Sequence, residues 1–188
     1  MTLPDAVAAL VIGSLAAGAG APALGAALRR WRLDAAARHL AMEIHRTRMQ
    51  AVARAGYAGL RFDAAGTGRW RLHGDGGSNG MRTAEIVSGE DPPLRPPVEL
   101  AGLYPGVSFG FPSGGVPRIP PSAGTLGPGD DPLALGGSSI LSASPTGETT
   151  SGSVYLTDGK ALRALVVYGP TGRVRLWSWE QATGWRMR

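Results

Sequence analysis

The chain has 188 residues, no cysteine and a formal net charge of +5. That length allows one modest domain plus an appendage, and the missing thiols exclude a disulfide framework and any cysteine-based metal or nucleophile site. The charge is uneven. Residues 1–28 carry only Asp5, residues 29–56 carry seven Arg against Asp34 and Glu43, and residues 57–188 carry twelve basic against eleven acidic side chains.

The first element predicted is a helix over 1–28, where Thr2–Leu28 holds one charge in 27 residues. At about 1.5 Å per residue it reaches roughly 40 Å, enough to cross a hydrocarbon core of about 30 Å. Thr2 suits the N-cap, Pro4 falls in the first turn, and Asp5 follows three residues after the cap. Gly13, Ser14, Ala16, Ala17, Gly18, Ala19 and Gly20 make a thin helix that neighbours can approach closely, and Pro22 is expected to kink it. A cleaved secretory signal is the rival reading, with Ala19-Gly20-Ala21 as its cleavage site, but the chain shows no basic n-region. Arg29, Arg30 and Arg32 would by the positive-inside rule hold the main domain in the cytoplasm, unless a basic leader has been removed.

The helix continues as an amphipathic segment over 29–56, with Leu33, Ala37, Leu40, Ile44 and Ala51 on one stripe and Gly56 as its stop. His39 and Glu43 stand one turn apart, an acceptable metal-ligand spacing, but without a second His or carboxylate on that face they read as a surface pair; His45 and His73 have no evident partners. Residues 57–188 are expected to form a β-rich head. Leu60 and Phe62, then Trp70 and Leu72, alternate with polar neighbours around the turn 64–68, which predicts a hairpin. Short extended pieces are expected at 85–88, 98–100 and 107–111. Residues 112–137 hold six Pro and seven Gly and read as a long surface loop. Strands at 139–143, 152–157, 162–168 and 173–179, joined by Gly-containing turns, predict an antiparallel meander. The fold class is therefore α+β: a long N-terminal helix, transmembrane in its first half and amphipathic in its second, packed on an antiparallel β-sheet head.

Met1-Thr2-Leu3-Pro4-Asp5, the apolar helix behind it and Pro22 resemble the start of a mature type IV pilin or type II secretion pseudopilin. Pro4 and Asp5 stand where that family usually has an apolar residue and Glu. The Ser-Pro-x-Gly turn at 144–147, the strand 151–156 and the closing Gly172-Arg173-Val174-Arg175 are similar to the GspH/FimT group of minor pseudopilins and minor pilins. The resemblance implies a structural filament subunit, not an enzyme. It would be processed by a prepilin peptidase, held in the inner membrane with a periplasmic head, and then assembled with other pilin or pseudopilin subunits. Met1, Asp5 and Pro22 are the implied processing and assembly residues, with Met1 either the processed residue or preceded by further coding sequence. No cofactor is implied.

Three patterns have chemical readings. Trp177, Trp179 and Trp185 interleave with Arg173, Arg175, Arg186 and Arg188, and arginines on phosphate with aromatics on bases would suit DNA. The alternative is an edge strand with packed tryptophans and solvated arginines. Asp75, Asn79 and Glu85 partly imitate a calcium loop, although a plain glycine turn accounts for them better. Gly76-Gly77-Ser78-Asn79-Gly80 spells a nucleophile elbow but lacks the strand-to-helix context that such an elbow needs.

Overall fold

A computed structural model describes residues 3–65 and 68–188, with side chains from residue 24 onward. The expected membrane-spanning stretch over 1–28, with Met1, Asp5 and Pro22, falls almost wholly outside the described side chains. Among the described residues, no helix is long and apolar enough to cross a membrane.

Helix α1 runs Leu3–Arg54. Among its described side chains, Leu33, Ala36, Ala37, Leu40, Ile44, Thr47 and Ala51 are buried, a spacing of three and four that keeps one stripe against the head. It ends one residue earlier than the Gly56 stop implies. Ala55 takes the left-handed conformation (φ 49°), and the Ala55 and Gly56 N–H groups bond to the carbonyls of Val52 and Ala51, the paired bonds of a Schellman end.

The head contains two principal antiparallel sheets. The first comprises β1 (Ala58–Asp63), β2 (Arg69–Gly74), β3 (Val98–Glu99) and β8 (Ile140–Ala143), in the order β3-β2-β1-β8. Its hairpin pairs Leu60 with Leu72 and Phe62 with Trp70, so both apolar pairs lie on the face that meets the helix. The second contains β9 (Gly152–Thr157), β10 (Leu162–Tyr168), β11 (Arg173–Glu180) and β12 (Gly184–Met187) as a meander. The outer edge of β9 carries two short strands in tandem, β4 (Ser108–Phe109) and β7 (Leu133–Ala134). Leu165 and Val167 of β10, with Val154 and Leu156 of β9, join the helix stripe and the first sheet in one core.

Four expectations are corrected. Residues 85–88 are not extended but belong to helix α2 (Thr83–Ser88), ended by Gly89 in the left-handed region. The piece at 98–100 turns after two residues into helix α3 (Leu100–Leu103), whose Leu100 is buried in the core. The strand at 139–143 does not extend the C-terminal meander. As β8 it pairs with β1, Leu60 opposite Leu141, because its apolar side chains complete the first sheet's inner face. The Pro/Gly stretch 112–137 is a cover, not a plain surface loop. It holds a small hairpin, β5 (Val116–Pro117) with β6 (Thr125–Leu126), and Val116 and Leu126 are buried against Tyr155, Leu162 and Ala164 on the outer face of the second sheet. Isolated apolar residues between prolines show no period, so the packing was invisible to a periodicity reading.

Candidate functional site

Helix α1 has a second apolar row opposite the head. Leu24, Leu28, Trp31, Met42, Met49 and Val52 are all exposed, Trp31 by 65% and Met49 by 64%. With Ala35, Arg38 and His45 between them, they occupy every position of an alternating 4-3 spacing from 24 to 52. At 100° per residue that row lies about 180° from the Leu33–Ala51 stripe. A shallow hollow along it is lined by Met42, His45, Arg46, Met49, Gln50, Ala53 and Arg95. Scattered surface apolar side chains need no explanation, but six large ones on one row at seam spacing, broken only at Arg38 and His45, are the pattern of a helix meant to meet another helix. Within residues 29–56 one apolar stripe is packed on the head, while the face away from it mixes large apolar side chains with charge.

An ionic cluster fixes the helix to the second sheet. Arg163 of β10 is fully buried; its Nε donates to Asp34 Oδ1 at 2.6 Å and its Nη1 to the Leu162 carbonyl at 3.0 Å. Its Nη2 lies 3.8 Å from Glu180 Oε1, too far for a hydrogen bond. Arg188 Nη1 donates to Asp34 Oδ2 at 2.8 Å, and Arg30 reaches Glu180 at 3.3 Å. Burial pushes the Asp34 carboxyl upward, yet the bonds and charges of Arg163 and Arg188 outweigh it and hold the group below its ordinary value. His39 and Glu43, expected as a surface pair, are packed instead. Glu43 is 6% exposed and accepts from Arg46 at 2.6 Å, and His39 sits edge-on to Trp70 with the Tyr104 hydroxyl 3.2 Å from its Nδ1.

Further along the helix, Arg48 lies between two turns. A Cβ at Gly147 would stand 3.0 Å from its Nε, and one at Gly172 would stand 2.8 Å from its Cδ. Both glycines have positive φ, 86° and 61°. The Ser-Pro-x-Gly turn and the Gly-Arg-x-Arg turn, distant in sequence, therefore close on one arginine of α1.

The strand period separates the four C-terminal arginines. Arg173 and Arg175 are exposed on the outer face of β11, beside Tyr168 and Val166 of β10. Arg186 pairs in register with Ser178, on the side that faces the helix, and Arg188 is held by Asp34. The tryptophans pack on the hairpin cover rather than standing free. Trp177, Trp179 and Trp185 rest against the Phe111–Val116–Leu126 cluster, and the Trp185 indole donates to the Pro117 carbonyl at 2.6 Å.

Of the calcium-loop residues, Asp75 and Glu85 come together, but the third carboxylate is Asp91; oxygens of the three lie within 4.8 Å of one another. Most of their capacity is used within the loop. Asp75 accepts from the Gly77 and Gly80 N–H groups, Asp91 from those of Gly76 and Arg82, and Glu85 Oε1 from Asn79. Gly76–Gly80 itself is a loop between β2 and α2 on an antiparallel sheet, whereas a nucleophile elbow stands on a parallel one.

No protein-family model, curated protein or solved structure matches this chain. The architecture itself, a long N-terminal helix packed on antiparallel sheets, is pilin-like.

Proposed function

We propose that this chain is a structural, non-enzymatic subunit of a pilin-like filament: a minor pseudopilin or minor pilin of the GspH/FimT type, serving a type II secretion system or a type IV pilus. Residues 1–28 hold it in the inner membrane with the head on the periplasmic side after prepilin peptidase processing, and helix packing then draws it into the filament with other subunits. The observation that carries this reading is the two-faced helix, covered by the head along Leu33–Ala51 and bare along Leu24–Val52. The meeting of the Ser-Pro-x-Gly and Gly-Arg-x-Arg turns on Arg48 supports it, since two turns that carry the resemblance close on one arginine of the helix.

Met42→Glu with Met49→Glu places two charges in the exposed row, where Arg95 is the head residue beside them. Each buried methionine is worth about 1.5–3 kcal/mol, so crosslinking to partner subunits should fall at least about tenfold while head stability stays unchanged. Normal crosslinking by the double variant overturns the reading. Asp5→Asn separates two roles of the anchor's one acid: loss of assembly with membrane insertion intact marks a charge pair with a neighbouring subunit's α-amino group, and normal assembly marks N-capping.

A DNA-binding minor pilin is the second reading, favoured by the exposure of Arg173 and Arg175 with no carboxylate partner among the described residues. Replacing both by Gln should weaken DNA binding and reduce the salt slope by about two phosphate contacts. Arg186→Gln, on the opposite side of the sheet, should leave binding near wild type. Binding that survives the first change rejects the assignment.

A further inference from the structure

A cavity of about 600 Å³ opens on the outer face of the first sheet, away from the helix and far in sequence from the C-terminal arginines. Its floor is the β1–β2 hairpin, where Arg61 and Arg71 stand directly opposite each other in the register. Both are half-buried, both line the cavity, and neither has a carboxylate partner among the described residues. Like charges opposed across an antiparallel pair destabilise a hairpin, and partial burial makes their repulsion worse. The next pair on that face, Asp63 with Arg69, is neutralised internally by contacts of 3.0 and 3.1 Å, so the floor keeps two uncompensated positive charges.

The walls mix hydroxyl-bearing and apolar side chains. Thr83 and Ile86 of α2 with Pro93 and Pro97 stand on one side, and Ser138 and Ser139 on the other. Ser139 is held in the left-handed region (φ 50°), and its carbonyl accepts the Phe62 N–H of β1, so the serine wall is tied to the floor. Deeper in, His73 has Nδ1 3.0 Å from the Asp91 carbonyl; an oxygen there only accepts, so Nδ1 carries the proton and Nε2 is the ring's remaining position.

We infer that this cavity is an oxyanion site that binds the phosphate group of a small phosphorylated ligand, clamped between the Arg61 and Arg71 guanidinium forks. Paired forks match a tetrahedral dianion, hydroxyls supply further donors, and the volume suits a ligand of sugar-phosphate size. A singly charged carboxylate satisfies only one fork. The inference stands apart from the filament reading: it concerns a face that neither the bare helix row nor Arg173 and Arg175 touch.

The test is calorimetric titration and thermal shift of the full chain in mild detergent, with glucose 6-phosphate, inorganic phosphate and glucose as probes. Glucose 6-phosphate should bind one to one and raise the melting temperature, while glucose does neither. Tighter binding of the ester than of inorganic phosphate places the sugar in the cavity; saturable binding of inorganic phosphate alone overturns the small-ester assignment. Each charge-assisted contact is worth about tenfold or more in affinity, so Arg61→Gln and Arg71→Gln should each weaken ester binding by at least that factor. Each variant should also melt higher than the wild type without ligand, since the repulsion is relieved. Arg173→Gln with Arg175→Gln should change nothing. No ester binding by the folded wild type, or unchanged binding in the Arg61→Gln and Arg71→Gln variants, overturns the proposal.

Discussion

Asp34→Ala is expected to lower the stability of the head and its helix by about 3–5 kcal/mol, the cost of leaving a buried charge without its partner. Arg163 is fully buried and its shortest contact is to Asp34, so the substitution strands a guanidinium whose Nη2 already lacks a hydrogen bond. Arg188, which is partly exposed, loses its bond as well but can turn to water. Urea unfolding followed by circular dichroism measures the loss. A drop below about 1 kcal/mol would mean the pair behaves as an ordinary surface bridge. The companion Asp34→Leu with Arg163→Met removes both charges together and should recover most of the stability, because an apolar replacement of a buried pair is often neutral or better. The pH dependence has a defined sign. Asp34 is held below its ordinary value of 3.8 in the folded chain, so its contribution is fully present above that value. It is lost as the pH falls through the lower folded-state value. Asp34→Asn should therefore lack this part of the acid-induced loss, read as urea midpoints that vary less below about pH 4 than those of the wild type.

Gly172→Val is expected to cost more than about 2 kcal/mol. The left-handed backbone alone costs an L residue about 1–2 kcal/mol, and a β-branched side chain tolerates it least. The new Cβ also arrives 2.8 Å from Arg48 Cδ and 3.0 Å from the Gly147 carbonyl oxygen, so either the arginine or the neighbouring turn must move. Thermal unfolding of Gly172→Val, Arg48→Ala and the double variant separates the two causes. If the clash matters, Gly172→Val costs less in the Arg48→Ala background, and the difference is the coupling between turn and helix. Equal costs in both backgrounds would exclude the Arg48 clash and leave backbone strain with the Gly147 carbonyl contact as the explanation. Gly172→Asn should be milder than valine, since Asn visits the left-handed region readily.

Much of the fold was legible because it rests on local periods. Leu33, Ala37, Leu40, Ile44 and Ala51 recur at helical spacing, and all five are buried. The hairpin about residues 64–68 and the strands 152–157, 162–168 and 173–179 announced themselves through alternation between turn residues, and the observed β9 and β10 coincide with their expected bounds. β12 was missed since Gly184–Met187 is too short to show alternation, and it becomes a strand only by pairing with β11. The exposed row on α1 lies in the sequence at 4-3 spacing, but Arg38 and His45 break its apolar period, which leaves the Leu33–Ala51 stripe as the stronger local signal.

The sequence by itself determined the division into a long helix and an antiparallel head, because backbone period and turn chemistry are properties of neighbouring residues. Only the tertiary structure decided which side chains meet. Asp34 and Arg163 are 129 positions apart, and Gly147 and Gly172 converge on Arg48 although nothing local relates them. Strand alternation placed Arg173 and Arg175 on one face, while sheet packing decided that Arg188 would return to the helix. The opposition of Arg61 and Arg71 follows from hairpin register, and the walls that make a cavity above them come from α2, Pro93, Pro97 and Ser138–Ser139, brought there by long-range contacts. A local period specifies a face; what covers that face depends on the rest of the chain.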